Sequence, residues 1–314
     1  MPHLDLPRRA LALLAAAALT LPPTAVWADT ALVVSVSPAP EFVPVFIAKD
    51  EAFFKKRGLD VTSQITPSGA VAAQGIQADS IQIGAISVTT LLQGNDSGLD
   101  LVVVAGGAIA SRTDKNYGIV AKAGSGIEKP EDLAGKRIAV PGLNNFFHVL
   151  ARQWLTNKGV DYRKVTFVEG AFPQLADIMK AGNVSAIITT EPFLSRTVGS
   201  GVGEKVFHIA ADLPDGLPPF VYVAKREWVA KNAQTARAFK EAIAEAIAFA
   251  EAKPQEAVAI YGRNVKLPPA ALASVKINAM SANVTPAQLE SWDGMMRRQD
   301  MLRNPLDAAR LIVR

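Results

Sequence analysis

From Asp29 onward, short runs of β-branched and apolar residues alternate with longer stretches whose apolar positions recur every three to four residues. Strands and helices in alternation are the pattern of a parallel sheet with crossover helices, and they predict an α/β fold. A first series places strands over Ala31–Ser35, Asp60–Ile65, Ile81–Gly84 and Leu101–Ala105, each followed by Pro, Ser or Gly and then by a helical stretch. A second series follows over Gly118–Ala121, Arg137–Val140, Val165–Glu169, Ala186–Thr189 and Val206–Ile209. Two series predict two lobes, each a mostly parallel sheet flanked by helices. Beyond them, Phe239, Ile243, Ala246, Ile247 and Ala250 recur at helical spacing within Ala233–Lys253, with Lys240, Glu241, Glu245 and Glu251 between them. That pattern predicts a helix packed on one face. Pro254, Pro268 with Pro269, and Pro286 mark starts or breaks of further helices. The tail has almost no strand signal, so it is expected to pack against an existing sheet and not to form a third domain.

The N-terminus changes the compartment. Arg8 and Arg9 precede an apolar run, Ala10–Leu21, and Val26-Trp27-Ala28 offers permissive residues for a signal peptidase. Residues 1–28 are therefore expected to be a cleaved signal peptide. A run of this length falls short of the roughly 20 residues a membrane-spanning helix needs. Removal of residues 1–28 leaves 286 residues with a net charge of +3, against +4 for the whole chain. Basic residues are dispersed without a dense stripe, so nucleic acid is not expected as a partner. The chain has no Cys, which excludes disulfides, Cys-based zinc sites, Cys nucleophiles and a lipid anchor through cysteine.

Catalytic patterns fail one by one. Only His148 and His208 remain after residue 28, and neither lies in an H-E-x-x-H or H-x-E pattern. The fragment Gly124-Ser125-Gly126 lacks the flanking glycines of a hydrolase elbow. Gly135-Lys136 has Pro130 where a phosphate loop needs its first glycine, and Gly199, Gly201 and Gly203 lack the third glycine and preceding strand of a dinucleotide site. No catalytic residue, metal or cofactor is expected. What recurs instead is small and polar residues where strands end: Pro67-Ser68-Gly69, Ser87–Thr90, Gly106-Gly107, Pro141-Gly142 followed by Asn144-Asn145, and Glu191-Pro192. Ligands of open α/β sheets lie outside the carboxyl ends of the strands, where helix N-termini favour an anion by about 0.3–1 kcal/mol per contact. Each of these residues also reads simply as a helix N-cap, and the pattern alone leaves both readings open.

The segment Ala48-Lys49-Asp50-Glu51-Ala52-Phe53-Phe54-Lys55-Lys56-Arg57-Gly58-Leu59-Asp60-Val61 resembles the "A-x-x-x-G-[YF]-F-x-x-x-G-L-D-V" stretch of periplasmic substrate-binding proteins, those of the taurine, aliphatic-sulfonate, nitrate and thiamine-pyrimidine binders. Ala52 stands where those proteins usually have Gly. The likeness continues through Ser68-Gly69, through Ser80-Ile81-Gln82-Ile83-Gly84, similar to "G-x-x-D-I-G" with Ser80 and Gln82 replacing Gly and Asp, through Pro130–Val140, and to Glu191-Pro192. It spans most of residues 32–260 in order. Phe53, Phe54, Leu59 and Val61 read as core, and Gly58 as a left-handed helix C-cap.

The resemblance implies the two-lobed, type II periplasmic binding protein fold, with residues 29–112 plus 220–314 as lobe one and 113–219 as lobe two. It implies a protein of the periplasm that captures a small organic anion, a sulfonate or carboxylate, and passes it to an ABC importer permease and its ATPase subunits. Such a protein needs no cofactor and acts as a monomer. Carried onto matching crevice loops, it implies ligand contacts at Pro40, Glu41, Phe42, Ser68, Gly69, Ile86, Ser87, Asn144, Asn145 and Glu191. Arg112, after a strand end near the expected crossover, would clamp a carboxylate or sulfonate, or else be a solvated hinge arginine. Phe42, Phe146, Phe147 and Phe172 would stack on a ligand body, or else pack in the core. Two alternatives share the binding step: a solute receptor that signals without transport, and a binder of a neutral heterocycle such as a thiamine-precursor pyrimidine. The related pyrimidine synthases carry a cysteine-rich motif that this chain lacks, and a LysR-type effector domain would follow a helix-turn-helix in place of the signal-like N-terminus.

Overall fold

The computed structural model describes residues 29–267, 272–273 and 275–313. The expected signal peptide and the helix start at Pro268–Pro269 lie outside the described residues. Two five-stranded sheets form the frame. The first contains β1 (Thr30–Val36), β2 (Leu59–Ile65), β3 (Ile83–Ser87), β4 (Leu101–Ala105) and β10 (Phe220–Lys225), in the order β2-β1-β3-β10-β4. The second contains β5 (Tyr117–Lys122), β6 (Arg137–Val140), β7 (Thr166–Glu169), β8 (Ala186–Thr190) and β9 (Gly203–His208), in the order β7-β6-β8-β5-β9.

The two sheets repeat one plan. Three strands pair in parallel through helical crossovers, and the fourth place is taken by a strand that arrives from the other sheet and runs antiparallel to both neighbours. Four strands of each sheet thus run in one direction, as the mostly parallel pattern predicts, and one runs against them, which makes the sheets mixed. A strand entering from the partner sheet is not joined to its neighbours by a helical crossover, the connection that sets consecutive strands parallel. β10 is the strand absent from the expected series. Its Phe-Val-Tyr-Val run after Pro218-Pro219 carries an ordinary strand signal, and its four central residues are buried between β3 and β4.

Helices α1 (Val43–Asp50), α2 (Gly69–Gln77) and α3 (Val88–Asp96) follow the first three strands. The second sheet carries α4 (Phe146–Asn157), α5 (Phe172–Lys180) and α6 (Phe193–Gly199). The tail supplies α7 (Arg226–Lys231), α8 (Ala233–Ala252), α9 (Pro254–Val265) and α10 (Pro286–Arg297). Phe239, Ile243 and Ala246, all fully buried, face a core shared with Phe46, Ile83 and Val34, so the α8 stripe covers the first sheet as its spacing predicts. Gly58 adopts φ +69° behind the Lys55–Arg57 turn, a left-handed conformation that glycine enters without a Cβ penalty.

The largest core crosses between the sheets. Ile86, Leu91 and Val103 of the first join Tyr117, Ile138, Phe146 and Ile188 of the second, with Trp292 of α10 among them. Trp292 donates through Nε1 to the Pro218 carbonyl at 2.9 Å, and Gln299 Nε2 donates to the Val149 carbonyl in α4 at 3.1 Å. The tail therefore ties the first sheet to a helix of the second. No helix among the described residues is long and apolar enough to cross a membrane.

Candidate functional site

Both sheets turn the carboxyl ends of their parallel strands toward a cavity of about 180 Å³. Its wall is assembled from the segments after β1 (Ser37, Ala39, Phe42), after β2 (Pro67–Ala70) and at the end of β3 (Ala85–Ser87, Thr90, Gln93). The second sheet adds Pro141–Phe147 after β6, Glu169 at the end of β7, and Phe172. Phe220, at the start of the antiparallel β10, reaches the same end of the first sheet.

Three helices begin at this wall, each with a side-chain cap. Ser68 Oγ accepts from Val71 N–H at 3.3 Å at the start of α2, and Ser87 Oγ accepts from Thr90 N–H at 3.1 Å at the start of α3. Asn145 Oδ1 accepts from His148 N–H at 3.1 Å at the start of α4. The capping and crevice readings of Ser68, Ser87 and Asn145 thus describe one geometry, because a cap satisfies one first-turn N–H and leaves others open to whatever occupies the cavity. Asn144 holds φ +62° and donates its N–H to His148 Nδ1 at 2.8 Å. Burial first, and then the charge of Arg152, push the His148 ring down to about 3, so it is neutral here and serves as an acceptor that shapes the loop.

The rest of the wall is aromatic. Phe42 and Phe220 meet edge-on with centroids 5.1 Å apart, Phe146 lies 5.3 Å from Phe220, and Phe147 packs against Phe172 at 5.1 Å. Phe146 is fully buried and Phe147 nearly so. These rings are core residues that also present surface to the cavity. Among the described residues lining it there is no Lys, Arg or His, and the one charged side chain is Glu169.

Of the residues expected to contact ligand, Phe42, Ser68, Gly69, Ile86, Ser87, Asn144 and Asn145 are brought together on this wall. Pro40, Glu41, Arg112 and Glu191 are not among its lining residues. Pro40 is buried in the single 3₁₀ turn before α1. Glu41 points inward, its Oε1 accepting from the Tyr117 hydroxyl at 2.7 Å. Arg112 is exposed and links the two crossovers: its Nε donates to the Leu213 carbonyl at 3.1 Å and its backbone N–H to Asp215 Oδ1 at 2.8 Å. Glu191 is spent on α6, accepting from Ser195 Oγ at 2.7 Å and Ser195 N–H at 3.2 Å. Ser37, Gln93, Glu169 and Phe220 line the cavity without having been singled out. Glu169 and Phe220 sit at strand termini, and their signal was the strand end itself.

Residues 39–257 match the model of the NMT1/THI5-like family. The chain belongs to this family. Among its relatives is the nitrate import ATP-binding protein NrtC of Synechocystis, 27% identical over 233 residues that make up 68% of this chain and 34% of that protein, so the chain spans about a third of that relative's length. The taurine-binding periplasmic protein of Escherichia coli is 24% identical over 201 residues, 63% of this chain and 59% of its own. In structure, the alkanesulfonate-binding protein SsuA from Xanthomonas axonopodis pv. citri, bound to MOPS, superposes with a TM-score of 0.78 at 18% identity, covering 91% of this chain and 98% of that one. That likeness establishes the fold as the type II periplasmic binding protein architecture. The NMT1/THI5-like chain thus has the frame of ABC-importer substrate-binding proteins.

Proposed function

We propose that this NMT1/THI5-like chain is the solute-binding component of an ABC importer: an exported, periplasmic monomer, not an enzyme, that encloses a small organic anion, a sulfonate or carboxylate, and delivers it to a permease with its ATPase subunits. Lobe one comprises residues 29–112 with 220–314, and lobe two residues 113–219. The observation that carries this reading is a single cavity walled by the carboxyl ends of strands from both sheets, where closure of one sheet on the other would seal the ligand from water. Three capped helix N-termini supply N–H donors for an acidic head, and Phe42, Phe146, Phe147, Phe172 and Phe220 supply an apolar wall for its body. Binding is expected near a micromolar dissociation constant, about −8 kcal/mol.

A second reading, a neutral heterocycle, has one observation in its favour: no cationic side chain is present among the described lining residues. A thermal-shift screen over sulfonates, carboxylates, nitrate and pyrimidines separates the two. A true ligand at 100 times its Kd adds roughly 2.7 kcal/mol of stability. Asn145→Ala should then weaken binding by roughly 1–3 kcal/mol, read by calorimetry. Tight binding of pyrimidine alone overturns the anion, and no response in any class overturns the solute-binding role.

A further inference from the structure

Outside the cavity, one face of α4 carries two buried hydrogen-bond donors that lack an acceptor among the described residues. His148 is 2% exposed, and its Nδ1 accepts from Asn144 N–H, so Nδ1 carries no proton. The ring is neutral, and a neutral imidazole then holds its proton on Nε2, which becomes a donor. That Nε2 is buried without a partner. One turn further along α4, Arg152 Nε is buried and equally unpartnered. Residues four apart on a helix share a face, and both side chains line one groove bounded by α4, the Tyr162–Lys164 turn and Phe167 of β7. This groove shares only Leu143 and Asn144 with the lining of the cavity.

The groove also gathers positive charge. The Arg152 and Arg163 guanidiniums each lie 5.0 Å from the centroid of the Tyr162 ring. Arg163 is exposed and reaches Asp161 Oδ1 at 3.8 Å and Asp300 Oδ2 at 3.6 Å. Arg152 is half-buried and forms no ion pair among the described residues. Burial lowers its pKa, with Tyr162 opposing and the charge of Arg163 pushing further down. Like charges gathered on one ring and desolvated donors left unpaired both cost free energy. A single oxyanion relieves both: its oxygens accept from His148 Nε2–H and Arg152 Nε–H, and its charge balances the guanidiniums. We propose that this groove is a second binding site, for a small oxyanion of the phosphate or sulfate type, separate from the cavity and independent of what the cavity holds.

The test follows the side-chain N–H signals of His148 and Arg152 by NMR on the isotope-labelled mature chain as inorganic phosphate is added, with sodium chloride at equal ionic strength as the control. In wild type the two signals should move together along one saturable curve that chloride does not reproduce. Arg152→Gln should weaken phosphate binding, read at His148, about tenfold or more. Arg163→Gln, a change at an exposed position, should weaken it in the same direction. Ser68→Ala, on the opposite wall of the cavity, should leave it unchanged within about twofold. Signals that stay still in wild type overturn the site, and mean that the Phe167 ring, whose centroid is 4.4 Å from that of His148, satisfies the imidazole donor. Equal movement with chloride reduces the effect to screening and overturns it too. A phosphate response that Ser68→Ala abolishes places the anion in the cavity and overturns the second site while leaving the cavity reading intact.

Discussion

Glu41 is a carboxyl group held away from water, with the Tyr117 hydroxyl as its side-chain donor among the described residues. It lies in the 3₁₀ turn Pro40–Phe42, 2% exposed, with the Tyr117 hydroxyl on Oε1 and, among the described residues, no partner on Oε2. Burial pushes its pKa up to about 7, against the opposing pull of the Tyr117 hydrogen bond, with a smaller upward contribution from Asp114. A folded-state value above the unfolded one means that the native protein binds this proton more tightly. The stability this confers is present below about pH 4.5 and is lost as pH rises toward and through 7. The full difference is about 3 kcal/mol. Chemical denaturation of wild type and Glu41→Gln across pH 4.5–8 should show wild type losing stability relative to the variant by a few kcal/mol. Parallel pH profiles would show that Glu41 is not the group responsible. The same residue shows why loop membership does not fix a site. Phe42 lines the cavity and Glu41, one residue earlier, does not, because neighbours in a 3₁₀ turn point about 120° apart. Ser68, Ser87 and Asn145 were legible because a cap is a local pattern. The inward aim of Glu41 and the reach of Arg112 to Leu213 depend on partners 76 and 101 positions away, which no local pattern carries.

At the scale of elements, β4 and β6 fall where their apolar runs begin and end, and α8 follows its stripe. β10 is absent from the expected series although its Phe-Val-Tyr-Val run carries a strand signal, and its place between β3 and β4 depends on a crossover from the second sheet that no local pattern shows. The crossover leaving β4 is equally dependent on distant chain. Gly106 N–H donates to the Ala282 carbonyl at 2.8 Å, and Ser281 N–H donates to the Gly107 carbonyl at 2.9 Å. A Cβ at Gly106 would run into the Ser281 carbonyl oxygen and come within 3.1 Å of that of Asn283. Backbone cannot step aside as a flexible side chain can. Gly106→Ala should therefore cost roughly 1–3 kcal/mol in urea unfolding. Gly199, which ends α6 with nothing within 4 Å of an added Cβ, is the internal control, and Gly199→Ala should be neutral or stabilising by up to about 1 kcal/mol. Equal effects at both positions would remove the close approach of the tail as the cause.

At the scale of the whole molecule, the chain passes between the sheets twice, from β4 to β5 and from β9 to β10. Arg112 bridges the two passages through the Leu213 carbonyl and Asp215, and Asn278 ties the first of them to the tail, donating to Asp114 Oδ2 at 2.6 Å and accepting from Asn116 Nδ2. These bonds hold the passages side by side, so a relative motion of the sheets has to bend there, where few residues change their backbone angles. α10 and the turn that follows it restrain the same motion through Trp292 and Gln299. The cavity wall is split between the sheets: the segments after β1, β2 and β3 on one side, those after β6 and β7 on the other. A ligand that touches both sides binds the closed arrangement more tightly than the open one and shifts the population toward it by that difference in affinity. Small-angle scattering of the mature chain should accordingly show a smaller radius of gyration at saturating ligand than without it, and Asn145→Ala should need more ligand to reach the same compaction. An unchanged radius at saturation, with binding confirmed by calorimetry, would mean that the ligand enters a cavity already closed and that the bonds among Arg112, Asp114 and Asn278 act as a fixed brace and not as a hinge.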